Sequence, residues 1–512
     1  MKLQLLSTSD THGFWWDDDF IKKGQIRSDG LLRAASAMAV VDSLAQAQGD
    51  WVLKIENGDF IQGSPLTTYI AECATDQANL FETIPKAIGY DVRVLGNHEF
   101  NYGRDYLTNI FKNDKTLLNA NILDSTTGQP FIGQPFKIFE KKGYRVAIIG
   151  LTTKAIPRWE KPENITNLHF ADPVLIARRL VTELASQVDE IVLAYHGGFS
   201  RDLVNNQILE EETGENQGNE LLNISGVSAI ITGHQHRLIA NTYQQIPISQ
   251  PGYRAEAIGQ LTLDLGHIEP AQSRLIKTAN WPANAQLSKK LTHIRTELDN
   301  WLDQPIGQLA TDIVLTDVAQ VRRTGHPFVD LINQVQLAAT GADLAATALF
   351  NDEMPGFHKI VTRRQLLANY PFPNTLVTVA MTGKQIKEAL EVNAGYFTLE
   401  NGEIKVSDRY HFPKQEDYNY DLWAGLNYEF HLNHSLGERV TVNSIRGLPF
   451  NPSKTYSVAI NNYRATGAGN PIFAQGKVLH RGKIPLTRLI QNYLQQHPDL
   501  VLKTKKHFKI QS

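Results

Sequence analysis

One cysteine in 512 residues, Cys73, leaves no partner for an internal disulfide and no thiolate cluster for a zinc site. Nothing around it looks like the setting of a nucleophile, so it reads as a small buried filler. Long apolar runs are missing too. None approaches the roughly 18 residues that a membrane-spanning helix needs, and the opening stretch, MKLQLLSTSDTHG, turns polar too soon for the apolar core of a secretory signal. As written, the chain is expected in the cytoplasm; as the trimmed mature form of a longer chain it would be expected outside, exported or at the cell surface. A surplus of either charge is also lacking. Fifty basic residues against 53 acidic give a net charge of −3, which argues against a broad electrostatic footprint for a nucleic-acid duplex. A compact anion is still admissible, because bound metal would add positive charge that this count omits. There is no repeat of solenoid period and no low-complexity tract.

What is present is an ordinary globular composition, 42% hydrophobic and 20% charged, long enough for two large domains or three small ones. The first half alternates short apolar runs with amphipathic helical patterns, the texture of an α/β layered domain. Residues 3–7, 51–55, 92–95, 146–150, 191–195 and 229–232 read as strands, and 31–48 and 173–187 as helices. From Asn284 to Asp303 a helix rich in Gln, Lys, Arg and Glu reads as a connector between Pro282 and Pro305. Beyond it the chain mixes strands (375–380, 456–460) with helices (384–394), an α+β texture. The expected division is 1–283, 284–304 and 305–512.

Five segments place metal-ligand residue types just after a predicted strand: SDTHG with Asp10 and His12, NGDFIQG with Asp59, LGNHEFNYG with Asn97, His98 and Glu99, AYHGG with His196, and ITGHQHR with His234 and His236. Asp10 and His12, two apart in an extended turn, can reach the same side of the backbone. The glycines around Asp59 allow close backbone approach. Besides His98, the segments supply two Asp, one Asn and four His. This mixed oxygen and nitrogen set suits Mn, Zn, Fe or Co better than an all-oxygen calcium site.

In motif order, D-x-H, G-D, G-N-H-[DE], H and G-H-x-H, the chain resembles the calcineurin-like metallophosphoesterases. More narrowly it resembles the bacterial 5'-nucleotidase and 2',3'-cyclic-nucleotide phosphodiesterase group. The resemblance implies a four-layer β-sandwich flanked by helices, followed by a C-terminal α+β nucleotide-recognition domain. It implies two divalent cations (Mn, Zn, Fe, Co or Mg): Asp10, His12 and His236 on one, Asn97, His196 and His234 on the other, and Asp59 shared. A hydroxide held by both cations would attack phosphorus in line, with His98 neutralising charge on the phosphoryl and leaving oxygens. In an extended segment the His98 side chain should point away from the neighbouring ligand Asn97. In nucleotidases of the group an Asp three residues on orients this His; here Asn101 stands there. It can accept a hydrogen bond but cannot stabilise an imidazolium by charge, and the resemblance implies that His98 with Asn101 forms the catalytic pair. The segments at 119–124 (NANILD) and 214–222 (GENQGNELL) add to the likeness.

In the C-terminal half, NYPFPNTLV and INNYRATGAGN resemble the group's base-binding loops, which implies that Phe372 and Tyr463 sandwich a nucleobase while Asn374 adds a polar contact. Stacking tolerates any base. The stretch GADLAATALFNDEMPGF lacks the arginines of the 5'-nucleotidase branch, and Arg464, Arg322 and Arg323 read as solvated surface groups before they read as phosphate contacts. The expectation is a hydrolase of 2',3'-cyclic nucleotides and 3'-nucleotides, with a 5'-nucleotidase or nucleotide-sugar hydrolase as the alternative. A nucleotide-binding surface protein without turnover is the alternative of another class. The partner is a small-molecule nucleotide, not a duplex, and the chain is expected to be a monomer or weak dimer.

Overall fold

The computed structural model describes all residues except 21, 267, 413–414, 503–506 and 512. It divides into two compact units, Met1–Leu298 and Asp299–Ser512.

In the first unit the apolar runs become the parallel centres of two six-stranded sheets. In one, Lys2–Thr8, Trp51–Glu56, Val92–Val94 and Leu117–Leu118 lie parallel, and Ala257–Asp264 and Gln272–Lys277 add an antiparallel edge. In the other, Tyr144–Thr152, Glu190–His196, Ala229–Ile231 and Ile246–Pro251 are parallel, with antiparallel edges at Phe136–Lys141 and Leu238–Tyr243. Apolar side chains from both sheets meet in one buried cluster that includes Leu3, Leu5, Leu53 and Val94 from the first and Ile148, Val192 and Ile231 from the second. Strands covered on both faces read as continuous apolar runs, which is why they were legible.

Helices complete four layers. Leu31–Ala47 buries Leu31, Ala34, Ala35, Met38, Val41 and Ala45, a stripe at helical spacing. Pro173–Leu184 packs Ala177, Leu180, Val181 and Leu184 into the core behind the second sheet. It starts at Asp172, whose carboxylate accepts the N–H groups of Val174 and Leu175, with Pro173 at the first helical position. Where the sequence suggested one connector helix there are two, Ala285–Lys290 and Thr292–Leu302, divided at Leu291.

The second unit is built on a five-stranded sheet in the order Asp421–Ala424, Leu344–Ala348, Thr455–Asn461, Thr375–Thr382, Lys477–Pro485, with a four-stranded sheet and helices such as Pro327–Thr340 and Gly383–Ala394 around one apolar core. Among the described residues no helix is long and apolar enough to cross a membrane. Cys73 is exposed, not buried: it falls just after helix Pro65–Glu72, whose apolar face is carried by Leu66 and Ile70, so no core position is left for the thiol.

Candidate metal centre

Parallel pairing brings the carboxyl ends of the central strands to one edge of the sandwich. Asp10 and His12 follow Lys2–Thr8, Asp59 follows Trp51–Glu56, Asn97 follows Val92–Val94, His196 ends its own strand, and His234 and His236 follow Ala229–Ile231. The turns are not extended. Asp10, His12, Asp59, His234 and His236 have φ of 53°, 51°, 57°, 71° and 57°. Such left-handed conformations cost a non-glycine residue on the order of 1 kcal/mol or more, and they persist where the surroundings over-determine them. Here the backbone is tied from loop to loop: Asp10 N–H donates to the Gly58 carbonyl at 3.0 Å and His12 N–H to the Asp59 carbonyl at 2.8 Å. Gly96 is required for the same closeness, since a Cβ on it would fall 2.2 Å from Asp59 Oδ1.

The side chains form two groups. The ligand atoms of Asp10, His12 and His236 lie within 4.8 Å of one another, as do those of Asp59, His196 and His234. Backbone carbonyls set the histidine tautomers: His12 Nδ1 donates to Gln62 O at 2.8 Å and His196 Nδ1 to Asn57 O at 2.7 Å, so the inward nitrogen of each is Nε2. His234 is turned the other way, with Nε2 on Glu215 Oε1 at 2.8 Å and Nδ1 2.7 Å from Asn97 Oδ1. Asn97 Oδ1 is also 3.3 Å from His196 Nε2. Asp59 Oδ2 stands 3.2 Å from His196 Nε2 and 3.8 Å from His12 Nε2, within reach of a histidine in each group. Asp10 Oδ1 is similarly placed, 3.5 Å from His236 Nε2 and 3.9 Å from His196 Nε2.

Electrostatics tests whether this donor set suits metal. Burial lowers the His12 ring to about 3, so it is a neutral donor. Burial acts the same way on His196, but Asp59 and Asp10 overcome it and raise that ring to about 10. Burial pushes Asp10 up; it works on Asp59 too, yet His196 and His98 hold that carboxyl well below the usual range. Two buried carboxyls whose main charge partner is a single imidazole, His196, form a site short of positive charge, which a cation would supply. His12 Nε2 and His236 Nε2 face each other at 3.2 Å. Two nitrogens about 2.1 Å from one ion would stand about 3.0 to 3.4 Å apart at octahedral to tetrahedral angles. The residues fit divalent ions.

Beside these groups, Asn97 has helical dihedrals and His98 opens a single turn, His98–Phe100, so the extended geometry expected there is not found. His98 N–H donates to Asp59 Oδ1 at 2.8 Å, and its ring lies 5.1 Å from that of His12. Asn101 Oδ1 is 2.6 Å from His98 Nδ1. Sequence reasoning singled out Glu99 without giving it a role, and it missed Glu215 and Trp159. Glu99, fully buried, is a clamp: Oε1 accepts from Phe60 and Ile61 N–H at 2.6 and 3.3 Å, and Oε2 from Gly96 and Asp59 N–H at 2.6 and 2.9 Å. Glu215 orients His234, and only the segment containing it carried a signal. Trp159, stacked on His234 at 6.1 Å and 15°, carried none.

In the second unit Phe372 and Asn374 precede strand Thr375–Thr382, and Tyr463 lies in the short helix that follows its neighbour Thr455–Asn461. The pairing Leu376↔Asn461 sets both loops at one end of the sheet, and Asn462 Oδ1 accepts Thr375 N–H at 2.9 Å. All three side chains are half-buried; Phe372 meets Phe350 edge-on at 5.7 Å and Tyr463 meets Tyr418 at 6.3 Å. Two arginines are not surface groups. Arg464 is buried on Asp421 at 2.9 Å, and Arg322 is buried with Asp352 at 2.5 Å, because each guanidinium fills a core position that a carboxylate neutralises. Arg323 is half-buried and donates to Ile404 O at 2.6 Å.

A two-sheet sandwich that gathers two Asp/His groups at one edge is the arrangement expected of a metal-dependent phosphoesterase, and the family match bears that class out. Residues 3–238 match the calcineurin-like phosphoesterase family and 305–475 the 5'-nucleotidase C-terminal domain. A *Haemophilus influenzae* protein named 2',3'-cyclic-nucleotide 2'-phosphodiesterase/3'-nucleotidase is 27% identical, over 96% of this chain and 84% of its own. A *Staphylococcus aureus* protein provisionally named a 5'-nucleotidase, solved with alpha-ketoglutarate, is 33% identical over all of both chains, with a TM-score of 0.91. A 5'-nucleotidase precursor from *Thermus thermophilus*, 21% identical over all of both chains, shares the fold at a TM-score of 0.69. The chain belongs to the calcineurin-like phosphoesterases that carry a 5'-nucleotidase C-terminal domain.

Proposed function

We propose that this hydrolase cleaves nucleotide phosphate esters, 2',3'-cyclic nucleotides and 3'-nucleotides first. The observation that carries this reading is the double grouping of ligand atoms, with Asp59 Oδ2 within 3.8 Å of a histidine in each. In this reading Asp10, His12 and His236 hold one cation, Asn97, His196 and His234 the other, and Asp59 both. Bound divalent ions supply Lewis-acid charge and lower the pKa of water. His98 neutralises charge on the phosphoryl and leaving oxygens, and Asn101 orients it. Phe372 and Tyr463 stack the base, Asn374 adds a polar contact, and residues 1–283, 284–304 and 305–512 serve as catalytic domain, connector and substrate-binding domain. The ester preference draws on Asn101 in place of an aspartate and on the name of the *Haemophilus influenzae* relative.

A second reading, 5'-nucleotidase, draws on the 33% identity with the *Staphylococcus aureus* protein. A hydrolysis panel with Mn and a chelated control separates the two. Faster turnover of 2',3'-cyclic AMP and 3'-AMP supports the first reading, faster turnover of 5'-AMP or UDP-glucose the second, and no metal-dependent turnover refutes both. Light scattering is expected to give a monomer or weak dimer.

A further inference from the structure

The hydrogen bonds around His98 run one residue beyond Asn101. Asn101 Nδ2 donates to Glu160 Oε2 at 2.6 Å, while Oδ1 of the same amide faces His98 Nδ1 at 2.6 Å. Glu160 Oε1 accepts from Asn164 Nδ2 and from the Lys161 N–H, both at 2.8 Å, and Asn164 Nδ2 also reaches the Asn101 carbonyl at 3.1 Å. Glu160 is only 9% exposed, in the loop between the turns Ile156–Arg158 and Pro162–Ile165.

The two ends of an asparagine amide are nearly equal in size, so its orientation is decided by what its neighbours can give or take. A carboxylate only accepts. Glu160 therefore admits the NH2 end of Asn101 and turns Oδ1 towards His98. Oδ1 also only accepts, so His98 Nδ1 must carry hydrogen, and in the reading above Nε2 is the nitrogen that acts at the phosphate. We propose that Glu160 is a positioning residue that fixes the orientation and tautomer of His98 through the amide of Asn101. The inference rests on the reading that His98 acts at the phosphate. A glutamine at 160 could offer either end, and Asn101 would then be free to flip and present NH2 to the ring.

The direction of the bonds gives a test that loss of packing does not mimic. Glu160→Gln is expected to lower kcat on 3'-AMP about tenfold with little change in KM. Asn101→Asp alone sets a second carboxylate 2.6 Å from Glu160 and is expected to be impaired as well. The double variant combines an aspartate that accepts from His98 with a glutamine that donates to it, and it should recover most of the wild-type kcat. Each variant is checked for bound Mn and for its unfolding midpoint. Wild-type kcat in Glu160→Gln, or a double variant no better than the worse single, overturns the proposal. His98→Ala separates the premise: if it alone abolishes turnover while Glu160→Gln does not, the positioning role fails and the His98 reading stands; if His98→Ala turns over normally, the premise itself is wrong.

Discussion

Glu99 holds the centre together without contacting a candidate ligand atom, and Glu99→Gln measures how much. Its two oxygens accept four backbone N–H groups, two each, from the loops that carry Asp59 and Asn97. Whichever way a glutamine amide is turned, its NH2 faces two of those donors. Each buried N–H without an acceptor costs about 1 to 3 kcal/mol, so the substitution costs about 2 to 6 kcal/mol before relaxation. Burial is the main cause raising the Glu99 carboxyl and the Asp59 charge the next, and a neutral amide removes both. The net loss is therefore expected near the lower end, about 2 to 3 kcal/mol, a large share of the roughly 5 to 15 kcal/mol that stabilises a typical domain. The assay is urea unfolding of metal-free protein, with Mn titration of the folded variant to follow the displaced Asp59 loop. An unfolding free energy within about 0.5 kcal/mol of wild type, together with unchanged Mn affinity, would refute the clamp.

Asp172→Ala removes the cap of helix Pro173–Leu184 and should cost about 1 kcal/mol in urea unfolding. Burial works to raise that carboxyl, but the Lys154, Gln217 and Leu175 hydrogen bonds leave it lowered, so its stabilisation is present above 3.8 and is lost as pH falls through the folded value; an Asp172 contribution that grew on acidification would contradict this. Arg464→Ala strands Asp421 in the core and should destabilise by about 3 to 5 kcal/mol, whereas a variant of normal stability with a raised KM would make Arg464 a substrate contact instead. His12→Ala and Asp59→Ala should each reduce Mn-dependent turnover by at least a hundredfold, read by phosphate release with metal content measured in parallel. Cys73 should react with a thiol reagent in the folded protein, and protection until unfolding would contradict its exposure.

Of the eight parallel strands of the first unit, Leu117–Leu118 and Ile246–Pro251 were not read, and the other six were legible to within two residues at each end. Their burial on both faces turns them into apolar runs, and the ligand residues sit directly after those runs. The antiparallel edges were not read: Leu238–Tyr243 alternates exposed and half-buried residues and has no apolar run to betray it. Cys73, Arg322 and Arg464 were misplaced because residue type is a poor guide to burial where a neighbour decides it. A core arginine needs Asp421 or Asp352 across the fold, 43 or 30 residues away in the chain.

The sequence by itself determined which residues could bind metal and that each follows a strand, because ligand chemistry and apolar patterning are both local properties. Only the tertiary structure decided which ligand atoms come within 4.8 Å of one another, that five of these residues sit at positive φ, and that Glu99, Glu160 and Glu215 stand behind them. A carboxylate does not announce its partner in the chain. Glu160 meets Asn101 across 59 residues, and the direction of that hydrogen bond exists only once the loops are folded together.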